Sequence, residues 1–295
     1  MKDNQASTTA YTVAHGILHT ATAKGGRELV GESMLRSYEK LLMASREGRR
    51  RLDELQNPLK RLALPALEWL LMPGITLNYV LRKRFIEEQV RLAVANGVTQ
   101  VINVGAGFDT LMWRLCRENE GLQCIEIDHP ATSREKRTMI EKSDGMPENL
   151  SLCAADLSQA SLEEALNATP GFDSARKTLY ICEGVMMYLG QRDVIGIFES
   201  IKKISGSGST LVFSALEPRG SHRNNIRPLL YTYLWLKSES YRWYIHEEDM
   251  DGFLEAREYK MDAVADSTYY EKQNGGLLNG RTLHKGEYVV VATAY

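Results

Sequence analysis

The chain has no uninterrupted hydrophobic run of membrane-spanning length. Its most apolar stretch, Leu62 to Val80, is broken by Pro65, Glu68, Pro73 and Gly74, whereas a span needs roughly 20 consecutive apolar residues. Paired cysteines are missing too. Cys116, Cys124, Cys153 and Cys182 form no C-x-x-C, and isolated thiols in apolar contexts behave as small hydrophobes in a reducing compartment. No charge of one sign dominates: 36 Lys and Arg stand against 38 Asp and Glu. This excludes the strong basic excess of a polyanion binder, and the REGRRR run at 46–51 is expected to be a solvated helix face. The polar start, MKDNQASTTAY, has no signal-peptide core. His15 and His19 sit one helical turn apart with no third ligand at metal-binding spacing. There is no repeat or low-complexity segment. The expectation is a cytoplasmic protein without metal, membrane or nucleic acid, its oligomeric state open.

The most telling absence is a glycine. Val101 to Pro130, VINVGAGFDTLMWRLCRENEGLQCIEIDHP, has the order strand, glycine turn, helix, strand and terminal acid. That order builds a nucleoside pocket at the carboxyl edge of a parallel sheet. Gly105 and Gly107 bring the backbone close to a ligand, and Asp128 follows about twenty residues later, where a carboxylate accepts ribose hydroxyls. A dinucleotide fold needs a third glycine for tight packing around a pyrophosphate. Here Thr110 holds that position, with Asp109 before it. A carboxylate repels a pyrophosphate and favours a sulfonium or an ammonium, so the charge pattern favours S-adenosylmethionine over NAD. Asp109 has a second possible role as a cap of the helix that follows.

The rest of the chain divides in two. Residues 1–95 carry helical periodicity and predict a helical N-terminal cap, ending in a helix from about Leu77 to Ala95. Residues 96–295 alternate strand and helix, predicting a Rossmann-like α/β core with a mostly parallel sheet and one antiparallel edge strand. Strands are expected at Val101–Val104, Cys124–Ile127, Leu150–Ala154, Thr178–Cys182, Ser209–Ser214, Tyr259–Ala265 and Glu287–Ala292. The last two are expected to be joined by a loop rather than a helix. An aromatic-rich insertion at about 219–246 holds Tyr231, Tyr233, Trp235, Tyr241, Trp243 and Tyr244. It is either a lid over an aromatic acceptor or a packed stripe.

The stretches TATAKGGREL, LRKRFIEEQV, GVTQVINVGAGFDTLMWRL, CIEIDHPATSREK, AADLS and TLYICEGVMMYL resemble the leucine carboxyl methyltransferase family of S-adenosylmethionine-dependent enzymes, in particular its bacterial polyketide O-methyltransferase-like branch. The resemblance spans roughly residues 20–190. It implies a class I methyltransferase sheet under a helical cap. Carried over by position, Arg84 is implied to grip the methionine carboxylate, Gly105 to be the turn glycine at the cofactor and Asp128 the ribose acid; Ala106, Gly107, Asp109 and His129 beside them are further candidate cofactor-binding residues. Asp156 and Leu157 are implied to flank the adenine, and Glu183 to approach the methionine ammonium. An Asp-Pro motif of the cap and an arginine after the glycine turn are replaced by LMASREG and Leu111, which leaves the acceptor undefined.

The expected function is O-methylation of a small-molecule carboxylate or acidic hydroxyl, in secondary, polyketide-like metabolism. Alternatives are a methyltransferase of protein C-terminal carboxylates, or a non-methylating protein that keeps the pocket. The catalytic group is unknown. Tyr188 is a candidate pocket wall, His222 and His246 are candidate bases, and Arg223 or Arg227 a candidate partner for an anionic acceptor.

Overall fold

The computed structural model describes residues 6–205, 208–236 and 239–295. Residues 1–5 of the expected cap and 237–238 of the expected insertion lie outside it. The chain opens with α1 (Thr8–Thr22), α2 (Gly26–Val30), α3 (Glu32–Met43), α4 (Arg46–Gln56), α5 (Pro58–Leu71) and α6 (Ile75–Ala95). Local chemistry starts several of these. Ser7 accepts from the Ala10 amide to cap α1, Ser45 caps α4, and Asn57 caps α5 with Pro58 at its first turn.

Alternation follows: β1 (Gln100–Val104), α7 (Leu111–Glu118), β2 (Gln123–Asp128), α8 (Pro130–Lys142), β3 (Leu150–Ala154), α9 (Leu162–Asn167) and β4 (Thr178–Cys182). A 3₁₀ turn at Met186–Tyr188 leads to α10 (Gln191–Ser205) and β5 (Thr210–Leu216). The last elements are α11 (Pro228–Leu236), α12 (Met250–Glu255), β6 (Tyr259–Ala265), α13 (Ser267–Leu278) and β7 (Glu287–Ala294). The seven strands form one sheet in the order β3-β2-β1-β4-β5-β7-β6. β1 to β5 are parallel. β7 runs antiparallel to β5 and β6, inserted between them.

One expectation is corrected. The segment between the last two strands is a helix, α13. Its Ser-Thr-Tyr-Tyr start and Gly275-Gly276 carry weak helix propensity, but Asp266 caps it through the Tyr269 amide and Tyr270 anchors it in the core. The strands fall within two residues of their expected limits; the parallel ones, β1 to β5, are legible because buried parallel strands are plain apolar runs.

The helices of the first third are not a detached body. Ile17, Leu35, Tyr38, Leu81 and Phe85 share one core with Val101, Cys124, Leu179 and Val291 on one sheet face. Ile102, Ile125, Tyr180, Phe198 and Phe213 form a second core on the other face. All four cysteines are free. Among the described residues, no single helix is long and apolar enough to cross a membrane, and no cluster of His, Cys, Asp and Glu suits a metal.

Gly74, at φ +81°, starts α6 and packs on the backbone at Leu283–His284; a Cβ there would lie 2.3 Å from the His284 amide nitrogen. His284 is 1% exposed, and burial pulls its pKa down to about 4. The unfolded chain takes up this proton near pH 6.5, the folded chain only near pH 4. The stabilising effect of the neutral ring is therefore complete above pH 6.5 and declines as pH falls towards 4, at about 1.4 kcal/mol per unit. Urea unfolding at pH 7 and pH 4.5 should show a loss of about 2–3 kcal/mol from this residue, and His284→Gln should shrink the difference between the two pH values.

Candidate active site

β1 and β4 are neighbours, yet their following helices leave on opposite faces, so a crevice opens at their carboxyl ends. There lies a cavity of about 900 Å³. Its floor is the turn after β1. The Gly105 amide donates to Ile127 O at 2.8 Å. Gly105 adopts φ +70°, and a Cβ there would come within 2.2 Å of Val185 Cγ2, so the chain permits no side chain at this point. Gly107, at φ +51°, donates its amide to Asp128 Oδ2 at 2.6 Å, while the His129 amide donates to Asp128 Oδ1 at 2.7 Å. Burial lifts the Asp128 pKa, and these two amides oppose the rise. Each carboxylate oxygen keeps a lone pair for a further donor.

The inner wall is ionic. Arg82 of α6 donates to Glu183, just past β4, at 2.7 Å and also to Glu287 at the start of β7. Asn78, one turn earlier, donates to the other oxygen of Glu287 at 3.0 Å. Lys83 donates to Asp109 at 2.9 Å and to Glu183 at 3.1 Å. The side chains of Arg82 and Glu183 are each 7% exposed. Burial alone would raise the Asp109 carboxyl, but Lys83 and Lys136 outweigh it and hold the group below the ordinary carboxylate range. Two cations against three carboxylates leave this cluster one formal negative charge. Lys136 and Glu126 add a neutral buried pair at 2.5 Å.

The structure brings together most of the residues expected from sequence. Gly105, Ala106, Gly107, Asp109, Asp128, Asp156, Leu157, Glu183 and Tyr188 all line the cavity. Asp109 accepts from the Leu111 amide at the start of α7 at 2.9 Å, the second role foreseen for it, and its other oxygen is paired with Lys83. Asp156 accepts from the Ser158 amide and hydroxyl at 3.0 and 2.7 Å.

Others lie elsewhere. Arg84 is exposed, donates to Leu29 O at 3.0 Å and faces a separate groove. The reason is helical phase. Over 75–86 every position of α6 is buried or half-buried except 84, and positions 88, 91, 92 and 95 continue the exposed stripe. Arg82 and Lys83, two and one residues earlier, are buried instead, and the spacing of that stripe was the signal that separates them from Arg84. His129 caps α8 through Nδ1 and is not in the cavity wall. His222 is exposed outside the cavity. His246 Nδ1 lies 2.9 Å from Glu217 Oε2, also outside it. Arg223 pairs with Glu247 at 2.9 Å, and Arg227 lies over the Trp69 ring at 5.6 Å. Neither arginine reaches the cavity.

The sequence model of the leucine carboxyl methyltransferase family matches residues 26–202, more than half of the chain. The chain belongs to this family. Among curated relatives, it is 29% identical over 138 residues to a Streptomyces coelicolor protein, covering 47% of this chain and 48% of that one. It is 33% identical over 131 residues to a Mycolicibacterium paratuberculosis protein, covering 44% and 41%. Both relatives are provisionally named S-adenosyl-L-methionine-dependent methyltransferases, and the chain aligns with about half the length of each. Among solved structures, a DUF574 family protein from Streptomyces avermitilis superposes with a TM-score of 0.58 at 14% identity, covering 95% of this chain and 97% of that one. A provisionally named methyltransferase from Thermobifida fusca superposes with a TM-score of 0.57, covering 87% and 94%. At such identities the likeness shows the fold, the class I methyltransferase sheet.

Within this family member, the inward cations rather than Arg84 carry the wall. Lys83→Met should leave Asp109 and Glu183 short of a buried counter-charge and lower unfolding free energy by about 3–5 kcal/mol. Arg84→Ala should stay within about 0.5 kcal/mol of the parent. Denaturant unfolding of the two variants side by side checks both.

Proposed function

We propose that the protein binds S-adenosylmethionine and transfers its methyl group to a small-molecule oxygen, a carboxylate or an acidic hydroxyl, in secondary metabolism. The observation that carries this reading is the pairing of the side-chain-free turn at Gly105 with a buried wall of net negative charge. A pyrophosphate would meet the carboxylates of Asp109 and Asp128, and the lysine beside Asp109, Lys83, is already shared between two carboxylates. A ligand with a sulfonium and an ammonium meets a wall of complementary sign. The cofactor supplies a methyl group on positively charged sulfur, already activated for attack.

The residues present fit that cofactor. Asp128 would accept from ribose hydroxyls with its free lone pairs. Leu157 would pack against the adenine, and Asp156 would accept from its amino group. Glu183 and Asp109 would face the cationic end, and Arg82, which keeps guanidinium N–H groups beyond those bound to Glu183 and Glu287, would donate to the methionine carboxylate in place of Arg84. The protein's contribution is alignment and exclusion of water, which supply roughly 7–11 kcal/mol of barrier reduction in favourable cases. Tyr188 is pushed up to about 12 by burial, so it serves as a neutral hydrogen-bonding wall and not as a base at neutral pH.

Incubation with methyl-labelled S-adenosylmethionine and an extract of small metabolites should yield a labelled small molecule by mass spectrometry. Label found only on protein would overturn the small-molecule reading. Asp128→Asn should weaken S-adenosylhomocysteine binding at least tenfold by calorimetry, since hydrogen bonds to a charged group contribute about 1.5–3 kcal/mol.

A further inference from the structure

The cavity is near the upper end of the roughly 300–1,000 Å³ range of ligand sites, so it has room for a second molecule. Part of its wall is aromatic. Tyr79 comes from α6, Tyr188 from the 3₁₀ turn after β4, and Tyr241 from the segment before α12. The rings of Tyr188 and Tyr241 lie 5.2 Å apart. The Tyr79 hydroxyl has no hydrogen-bond partner among the described residues, although desolvation keeps it firmly protonated. A donor of this kind in a cavity wall is an open position for an oxygen of a ligand.

Charge divides the cavity as well. Three cations line it: Arg82, Lys83 and Arg242. The first two are ion-paired to buried carboxylates. Arg242 lies at the exposed rim, and among the described residues no carboxylate pairs with its guanidinium. Its backbone is fixed, because its amide donates to Met187 O at 2.7 Å, next to Tyr188. The acid on the same segment, Glu239, accepts from Thr9 of α1 at 3.4 Å. Arg242 is thus held beside the tyrosines with no ion-pair partner among the described residues, better placed for an anion in the cavity than Arg223 or Arg227.

We propose that this aromatic part is an acceptor subsite for a planar aromatic compound with an anionic substituent. The ring lies among Tyr79, Tyr188 and Tyr241, and Arg242 anchors the anion. The inference rests on the methyltransferase reading and narrows it. Arg242 is exposed at the rim while Glu183 is deeply buried, so the anchored anion is separate from the oxygen that receives the methyl group. That favours a ring hydroxyl as the methylated group. Arg242 is a positioning and specificity residue; a guanidinium grips a carboxylate through two parallel hydrogen bonds, and an amide of the same shape cannot reproduce them.

The test uses the full chain saturated with S-adenosylhomocysteine. Calorimetric titration is run with matched probes: 4-hydroxycinnamate, 4-hydroxybenzoate and 6-hydroxy-2-naphthoate, each beside its primary amide. At least one acid should bind ten times or more tightly than its amide. Arg242→Gln should erase that preference, Arg242→Lys should keep part of it, and both should hold S-adenosylhomocysteine within twofold of the parent, with unchanged Tm. Equal binding of acids and amides, or no binding of any acid, overturns the proposal. So does a tenfold loss of S-adenosylhomocysteine affinity in Arg242→Gln, which would assign Arg242 to the cofactor. Failure of the parent protein to bind S-adenosylhomocysteine at all contradicts the underlying reading instead.

Discussion

The molecule depends on one buried ionic junction. Arg82 and Lys83, adjacent on α6, reach Glu183 after β4, Glu287 at the start of β7 and Asp109 in the turn after β1. Burying five charges costs several kcal/mol per ion before pairing is counted. An apolar junction would join the helices to the sheet at lower cost. What the ionic version adds is position and sign. It locks α6 across the crevice between β1 and β4, where open α/β sheets bind ligands, and it lines that crevice with a net negative wall.

The same junction explains why the helical first third shares a core with the sheet. α6 presents Asn78, Tyr79, Arg82 and Lys83 to the cavity or its wall, and Val80, Leu81, Phe85 and Ile86 to the apolar core. α1 then closes over the glycine turn, with the Ala10 Cβ 3.3 Å from where a Gly107 side chain would begin. Opposite, the segment bearing Tyr241 and Arg242 is tied to the 3₁₀ turn after β4. The crevice at this sheet edge is thereby lined by an ionic cluster and by tyrosines, each built on regular structure or pinned to it.

Much of this was legible in the sequence. The strands stood out as apolar runs ended by Gly105, Asp128, Asp156 and Glu183, and those ends converge on the cavity because parallel strands place their carboxyl ends on one side. What stayed hidden depended on three-dimensional phase. In the LRKRFIEE stretch three cations stand in a row, and a helix buried on most of its circumference selects among them by a rotation of 100° per residue. α13 was hidden because tertiary anchoring of Tyr270 overrides weak local propensity. The histidines of the insertion gave no pattern to place them, and Arg242 became visible only once the other cations of the cavity were seen to be paired.

The central claim is that the Gly105 turn and the acidic wall recognise an adenosyl sulfonium. Equilibrium dialysis of the purified chain against radiolabelled S-adenosylmethionine, with unlabelled S-adenosylhomocysteine and NAD as competitors, measures it directly. The account predicts one saturable site per chain, displaced by S-adenosylhomocysteine and indifferent to an excess of NAD. Retention no greater than that of an unrelated protein, or displacement by NAD at comparable concentration, would contradict it.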